Sequence, residues 1–162
     1  MALQSVIPYD GKLRTFLAAL ARFERNEALI PYGVFLLRMT LVAIWIAHFW
    51  YKVGFRGMPA TETFFASLGY PVWFAWADVI VEFVAILMLF FGVYVRTISL
   101  LLLIILIPAT AVWIPKGFYF VNAGYEFMLT WCVLQVVQAV LGRGAFSLGA
   151  DVPRNRLAEA RA

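Results

Sequence analysis

Charge is scarce in this chain. Asp, Glu, Lys and Arg make 14% of its 162 residues, against 64% hydrophobic and 17% aromatic. A soluble domain holds about 25% charged residues, so there are too few here to clothe a surface facing water. The mean hydropathy of +0.88 agrees. The excess apolar surface must face lipid, which makes the chain an integral membrane protein. It is too short for a large transporter with internal repeats, because each span takes about 20 residues. Cys132 is the one cysteine and lies in an apolar run. That excludes an intramolecular disulfide, a CxxC redox pair and a thiolate metal cluster. His48 is the one histidine, which excludes bis-histidine haem ligation within the chain. No P-loop, dinucleotide fingerprint or nucleophile elbow occurs, and Gly142-Arg143-Gly144 stands alone as a loop. The first 28 residues lack a continuous apolar core and a small-residue cleavage site, so they do not read as a signal peptide.

What is present is four apolar runs, 31–51, 72–91, 98–114 and 125–141. Each is within or near the length that crosses a bilayer as helix, and helix leaves no backbone group open to lipid. The expected fold is an all-α membrane protein, a four-transmembrane-helix bundle over 31–142. Pro108 interrupts the third run, where a kink is expected. Net charge is +4, which on a membrane protein points to cytoplasmic loops and anionic headgroups rather than nucleic acid. Lys12, Arg14, Arg22, Arg25, Arg96, Arg143, Arg154, Arg156 and Arg161 fall on one side of the spans, nine basic residues against the three of Lys52, Arg56 and Lys116. That asymmetry places both termini in the cytoplasm.

Residues 1–30 form a cytoplasmic segment. Asp10 is placed to cap a helix over about 11–28, with Leu13, Phe16, Leu17 and Leu20 on one face. Such an amphipathic helix lies on the inner leaflet or against a partner subunit. Between the first two spans, residues 61–69 read as a short helix capped by Thr61 and stopped by Gly69 and Pro71. Its Phe64, Phe65 and Leu68 dip into the outer leaflet or cover the bundle as a lid. Residues 143–162 have no apolar period and read as a mobile cytoplasmic tail.

The informative side chains are the ionisable ones within the spans: Arg38, His48, Asp78, Glu82 and Glu126. Each costs about 2.5–3.5 kcal/mol at mid-membrane on insertion scales, so they need partners or water. Asp78 and Glu82 are one turn apart, as are His48 and Lys52. At about 1.5 Å rise per residue, His48, Lys52, Asp78 and Glu126 share the outer half. Glu82 lies near the midplane, with Arg38 below it as the expected partner of a structural ion pair. Two carboxylates one turn apart in low dielectric do not both ionise easily. Beside a histidine they form proton-handling equipment, Glu82 and Asp78 the proton groups and His48, Glu126 and Lys52 the ligand-binding ones. The aromatic residues of the outer side (Trp45, Trp50, Tyr51, Trp73, Trp76, Trp113, Tyr119, Tyr125) read as an interfacial belt or as a pocket for a flat ring such as a quinone head. Iron or manganese would accept these nitrogen and oxygen ligands, and His48 with Met58 hints at copper. No Glu-x-x-His repeat of a di-iron bundle is present, so neither metal nor haem is expected.

Arg38-Met39-Thr40-Leu41-Val42-Ala43-Ile44-Trp45-Ile46-Ala47-His48, followed by Lys52, resembles the first span of the DoxX family. Phe65-x-x-Leu68-Gly69-x-Pro71 resembles its next link, and Glu82 with Leu87, Leu89, Gly92 and Arg96 its second span and turn. Gly124-Tyr125-Glu126 resembles the opening of its last span. The resemblance covers about 35–148. It implies a multi-pass protein of the bacterial inner membrane and carries over Arg38, His48, Glu82 and Glu126 as polar positions. Asp78 and the long amino terminus look additional. The wider group includes the membrane subunit of a thiosulfate:quinone oxidoreductase, and other relatives are linked to thiol redox balance or to assembly of larger complexes. The leading expectation is therefore a membrane subunit of a redox system that binds quinone or relays its protons, working with other subunits that supply the electrons. The alternative is a non-catalytic membrane scaffold or assembly factor whose buried charges are structural. A proton or small-solute pathway is a third.

Overall fold

The computed structural model describes residues 11–149, and every regular element among them is helical. Asp10, Arg154, Arg156 and Arg161 lie outside the described residues, and with them the expected cap and much of the expected tail.

The chain divides into two units, 1–30 and 31–162. In the first, α1 (Gly11–Glu24) contains no buried residue, and Leu13, Phe16, Leu17, Leu20 and Phe23 are all exposed. Asn26 then caps a short 3-10 turn, its side-chain oxygen accepting from the Ala28 amide.

The second unit contains α2 (Ile30–Trp50), α3 (Met58–Ser67), α4 (Val72–Phe91), α5 (Val95–Trp113) and α6 (Glu126–Leu141). Three helical stretches are long and apolar enough to cross a membrane: Glu27–Phe55, Val72–Phe91 and Val95–Lys116. The last helix is apolar but has 16 residues. Pro108 does not end α5, which continues to Trp113.

Burial explains why the spans read as almost uniformly apolar. On α4 the buried stripe is Ala75, Asp78, Val79, Glu82, Ala85, Ile86 and Leu89, at helical spacing. Ile80, Val81, Phe83, Val84 and Leu87 point outward and are exposed. The polar side chains thus face inward and the bulky aliphatics outward, as lipid demands. Leu41 and Trp45 of α2, Leu89 of α4, Leu102 and Leu106 of α5, and Met128 and Trp131 of α6 form one apolar core. Packed neighbours include α5 with α6, α4 with α5, and α3 with α4.

Three details differ from the sequence reading. First, α2 leaves its α-helical register in a π-helical turn, Tyr51–Phe55, which closes with the Arg56 amide on the Tyr51 carbonyl. Second, α3 starts at Met58 with Gly57 as its cap, so Thr61 lies inside the helix. Its hydroxyl is buried and bonds the carbonyls of Gly57 and Lys52 instead of capping. Third, residues 143–149 are not a loose tail. The Ala145 amide donates to the Pro31 carbonyl and the Leu148 amide to the Phe91 carbonyl, so this strap joins the ends of α2 and α4.

Gly92 shows how tight that junction is. It turns the chain out of α4 with φ +70°, and a Cβ there would overlap Arg38 and Ser147. Gly92→Ala should lose about 1–2 kcal/mol from the left-handed backbone alone, and more from the overlap. A denaturant midpoint in mild detergent that does not move would contradict this packing.

Candidate functional site

The π turn decides what Lys52 does. Together with the Thr61 bond to its carbonyl, it holds the lysine stem at the carboxy-terminal end of α2, where the side chain is 19% exposed. The ammonium donates to Asp78 Oδ2 at 2.5 Å and to Glu82 Oε1 at 2.7 Å. Both carboxylate side chains are nearly closed off, at 4% and 2% exposure. One cation therefore bridges two carboxyl groups one helical turn apart, which relieves the repulsion that the spacing alone implies. Glu82 Oε2 is buried and has no hydrogen-bond partner among the described residues.

The triad stands on the wall of a cavity of about 450 Å³. The walls come from α2, α3, α4, α5 and α6, with Trp45, Phe65, Phe74, Trp113, Phe127 and Trp131 among the rings. His48 also lines it. Its ring lies 4.5 Å from that of Trp131 and stacks on Phe127 at 6.3 Å. Phe64 and Phe65 of α3 and Leu68 just after it form part of the wall, so this short helix covers one side as a lid. Trp76 Nε1 donates to Glu62 Oε1 at 2.6 Å, tying the lid to α4. A mostly apolar space with a few convergent polar groups suits a small ring-shaped ligand. Among the described residues, no three His, Cys, Asp or Glu side chains are grouped to hold a metal ion.

Lys52, Asp78, Glu82 and His48 thus meet at one cavity, and two other expected participants do not. Arg38 does not pair with Glu82. It is wholly buried, and its guanidinium donates to the carbonyls of Arg143 (2.5 Å), Ala145 (3.1 Å) and Phe146 (2.9 Å) in the strap. Lys52 occupies the position expected of Arg38: it lies in the π turn at the end of α2, with its carbonyl held by Thr61 of the lid. Glu126 is absent from the cavity wall. Its Oε2 accepts the Phe120 amide while its own amide bonds the Phe118 carbonyl, so it closes the loop before α6. Gly124 permits that closure, since a Cβ there would run into the Gly117 and Phe118 carbonyls.

Trp131 lines the site and Gln135 supports it through Trp45, and neither is singled out by the sequence reading. Trp131 packs on Trp45 at 4.4 Å, and Gln135, wholly buried, accepts from Trp45 Nε1 at 3.4 Å. The available signal was Gln135 and Gln138, two amides three residues apart in an apolar run. Gln138 closes the other end of α6, donating to the Gly142 carbonyl at 2.5 Å.

An all-helical protein with membrane-length spans and an inward-facing ionic triad beside a ring-lined cavity defines a small helical membrane protein with a polar interior site. The chain belongs to the DoxX family, whose family model matches residues 33–115. The matched stretch holds Arg38, His48, Lys52, Asp78 and Glu82 and ends before Glu126. The chain is also similar to the protein described as "Putative oxidoreductase CatD" of Bacillus subtilis (strain 168). That match is 31% identical over 97 residues, 60% of this chain and 71% of the relative. No solved structure matches the chain.

Proposed function

We propose that this DoxX protein is the membrane subunit of a redox system, and that its cavity binds a quinone ring whose protons Asp78 and Glu82 hold or pass on. The supporting observation is the union of a ring-lined cavity of about 450 Å³ with Lys52 bonded to both buried carboxyl groups. Membership of the family and the oxidoreductase description of the Bacillus relative support a redox association. Quinone, when bound, supplies two-electron, two-proton chemistry. The chain's own part is narrower. His48 offers a ring nitrogen from the cavity wall, and Lys52 orients both carboxyl groups. Glu82 Oε2, buried and without a partner among the described residues, is the oxygen left to hold a proton. The electrons come from another subunit, since no cofactor-binding motif occurs in the sequence.

The same reading includes a four-span topology. The 16 residues of α6 rise about 24 Å as helix, short of a hydrocarbon core of about 30 Å but close enough for local thinning. With the nine-to-three basic asymmetry, this puts both termini in the cytoplasm of a bacterial inner membrane. The leucines and phenylalanines of α1 then lie in the inner leaflet. Terminal reporter fusions active only in the periplasm would reverse this topology.

The scaffold reading predicts a different outcome for mutants. Under the redox reading, His48→Ala and Glu82→Gln abolish quinone-linked turnover per assembled complex and lower bound quinone, while assembly persists. Under the scaffold reading, activity falls only as far as the amount of complex falls. The measurement is turnover normalised to assembled complex, with quinone extracted from the same native-lipid preparation. Wild-type turnover and quinone content in both variants would leave the carboxyl groups purely structural.

A further inference from the structure

Resting on the reading of this cavity as a ring-binding site, we propose that its ligand carries a long apolar tail, which leaves sideways past Ile104 and Pro108 of α5 into the hydrocarbon of the bilayer. The inference comes from the residues of α5 that belong both to the cavity wall and to the exposed surface. Leu100, Ile104 and Ile107 point outward on this helix at 57%, 67% and 61% exposure. Of these three, only Ile104 lines the cavity. Pro108, one turn further on, is also exposed and also lines it. No other exposed residue of α5 does so. The interior therefore reaches the outer face of α5 at one place, between these two side chains.

Two further observations mark that place as an exit for hydrocarbon. Pro108 has no N–H to offer the Ile104 carbonyl, so the helical wall is interrupted between the same two residues. From Ile104 to Val112, the wall residues on α5 carry no polar side-chain group. The rim beside the lid differs. Arg56 packs on Phe64 and Tyr70 on Phe65, with Tyr51 next to Arg56. All three line the cavity and are exposed, so a tail leaving there would pass two hydroxyls and a guanidinium. Height agrees with this chemistry. Ile104 lies nine residues after Val95, the start of α5, and Glu82 nine before Phe91, the end of α4. At about 1.5 Å per residue, both lie about 14 Å from the turn that the two helices share. That is close to the middle of a hydrocarbon core about 30 Å thick. A ring held beside His48 and the triad thus has an apolar opening at its own height, and a tail placed there meets acyl chains and no water.

The test uses the full chain captured in lipid nanodiscs, with bound quinone extracted and counted and empty nanodiscs subtracted. Menadione is the naphthoquinone ring without a tail, and menaquinone-4 is the same ring with a prenyl tail. Both are dosed as a fraction of lipid, which removes partitioning into the bilayer from the comparison. Ile104→Trp plugs the opening. It should weaken menaquinone-4 at least about tenfold and menadione by less than about twofold. Ile107→Trp adds the same bulk to the same exposed row away from the cavity, and should leave both ligands within about twofold of wild type, on the same scale. Should the indole of Ile104→Trp turn inward and weaken menadione as well, Pro108→Phe narrows the other edge of the opening, with the same selective loss expected. Menaquinone-4 and menadione both bound as in wild type by Ile104→Trp and Pro108→Phe would overturn the lateral tail and leave the ring-binding reading standing. Equal losses of the two ligands in both variants would do the same. A loss of menaquinone-4 as large in Ile107→Trp would overturn Ile104 as the opening. Failure of both quinones to bind the wild-type protein would overturn the ring-binding reading itself, and the tail with it.

Discussion

Replacing Lys52 by methionine should remove most of the folded protein. The methionine keeps much of the stem but withdraws the ammonium that bonds Asp78 and Glu82 at 2.5 and 2.7 Å. Two carboxyl groups would then remain a helical turn apart, at 4% and 2% side-chain exposure, with no cation on either. Breaking a buried pair by removing one partner typically costs about 3–5 kcal/mol, whereas removing both sides can be close to neutral. The triple variant Lys52→Met, Asp78→Asn, Glu82→Gln should therefore recover folded protein that the single variant loses. Asp78→Asn alone should be milder than Lys52→Met, because Lys52 keeps Glu82. The measurement is the folded fraction over a denaturing-detergent titration, arranged as a mutant cycle. Losses that simply add across Lys52, Asp78 and Glu82 would mean that the three do not interact.

The inward placement of Asp78 and Glu82 was legible in the sequence, and the identity of their cation was not. Spacing puts both carboxyl groups on one face of a single helix, and lipid forces that face inward. Depth counted along a straight helix, however, sets Lys52 in the outer half with Asp78 and makes Arg38 the expected partner of Glu82 near the midplane. Two features overturn that count, the π turn at Tyr51–Phe55 and the lid helix Met58–Ser67 that roofs it. The lid helix is readable from Thr61, Gly69 and Pro71, but the π turn has no residue signature strong enough to be read. π-Helical turns depend on local register and recur at functional sites, and the lid's lysine-locking bond comes from Thr61, which reads equally well as a cap.

Arg38 illustrates a second limit. Its partners are three backbone carbonyls in a stretch with no periodicity. A carbonyl is present at every residue, so nothing in the side-chain sequence marks it as a ligand for a guanidinium. Glu126 misleads in the opposite sense. An acidic residue opening an apolar run on the outer side is placed to join a polar cluster, yet its carboxylate satisfies the Phe120 amide in its own loop. Local hydrogen bonding of that kind competes with long-range roles. The cavity's extent was also hidden, because Trp45 and Trp131, apart in sequence, meet only when α2 and α6 pack.

Arg38→Leu should loosen the strap and leave the ionic triad as it is. The guanidinium is wholly buried and makes three hydrogen bonds to the strap. Bonds to a charged donor are worth about 1.5–3 kcal/mol each, but water reaching the freed carbonyls returns part of that. The expected net loss is about 2–4 kcal/mol, among the larger effects of a single substitution. Arg38→Lys should recover only part, because an ammonium is a point donor and does not spread across three carbonyls as a planar fork does. The local readout is amide exchange at Ala145 and Leu148, whose amides bond Pro31 and Phe91. Both should exchange at least about tenfold faster in Arg38→Leu, the change that about 1.4 kcal/mol of local opening produces. Because Arg38 and Glu82 do not touch, Arg38→Leu and Glu82→Leu should be additive, in contrast to the coupled Lys52 cycle. Unchanged exchange at Ala145 and Leu148, or strong coupling between Arg38 and Glu82, would return Arg38 to the triad and leave the strap held by something else.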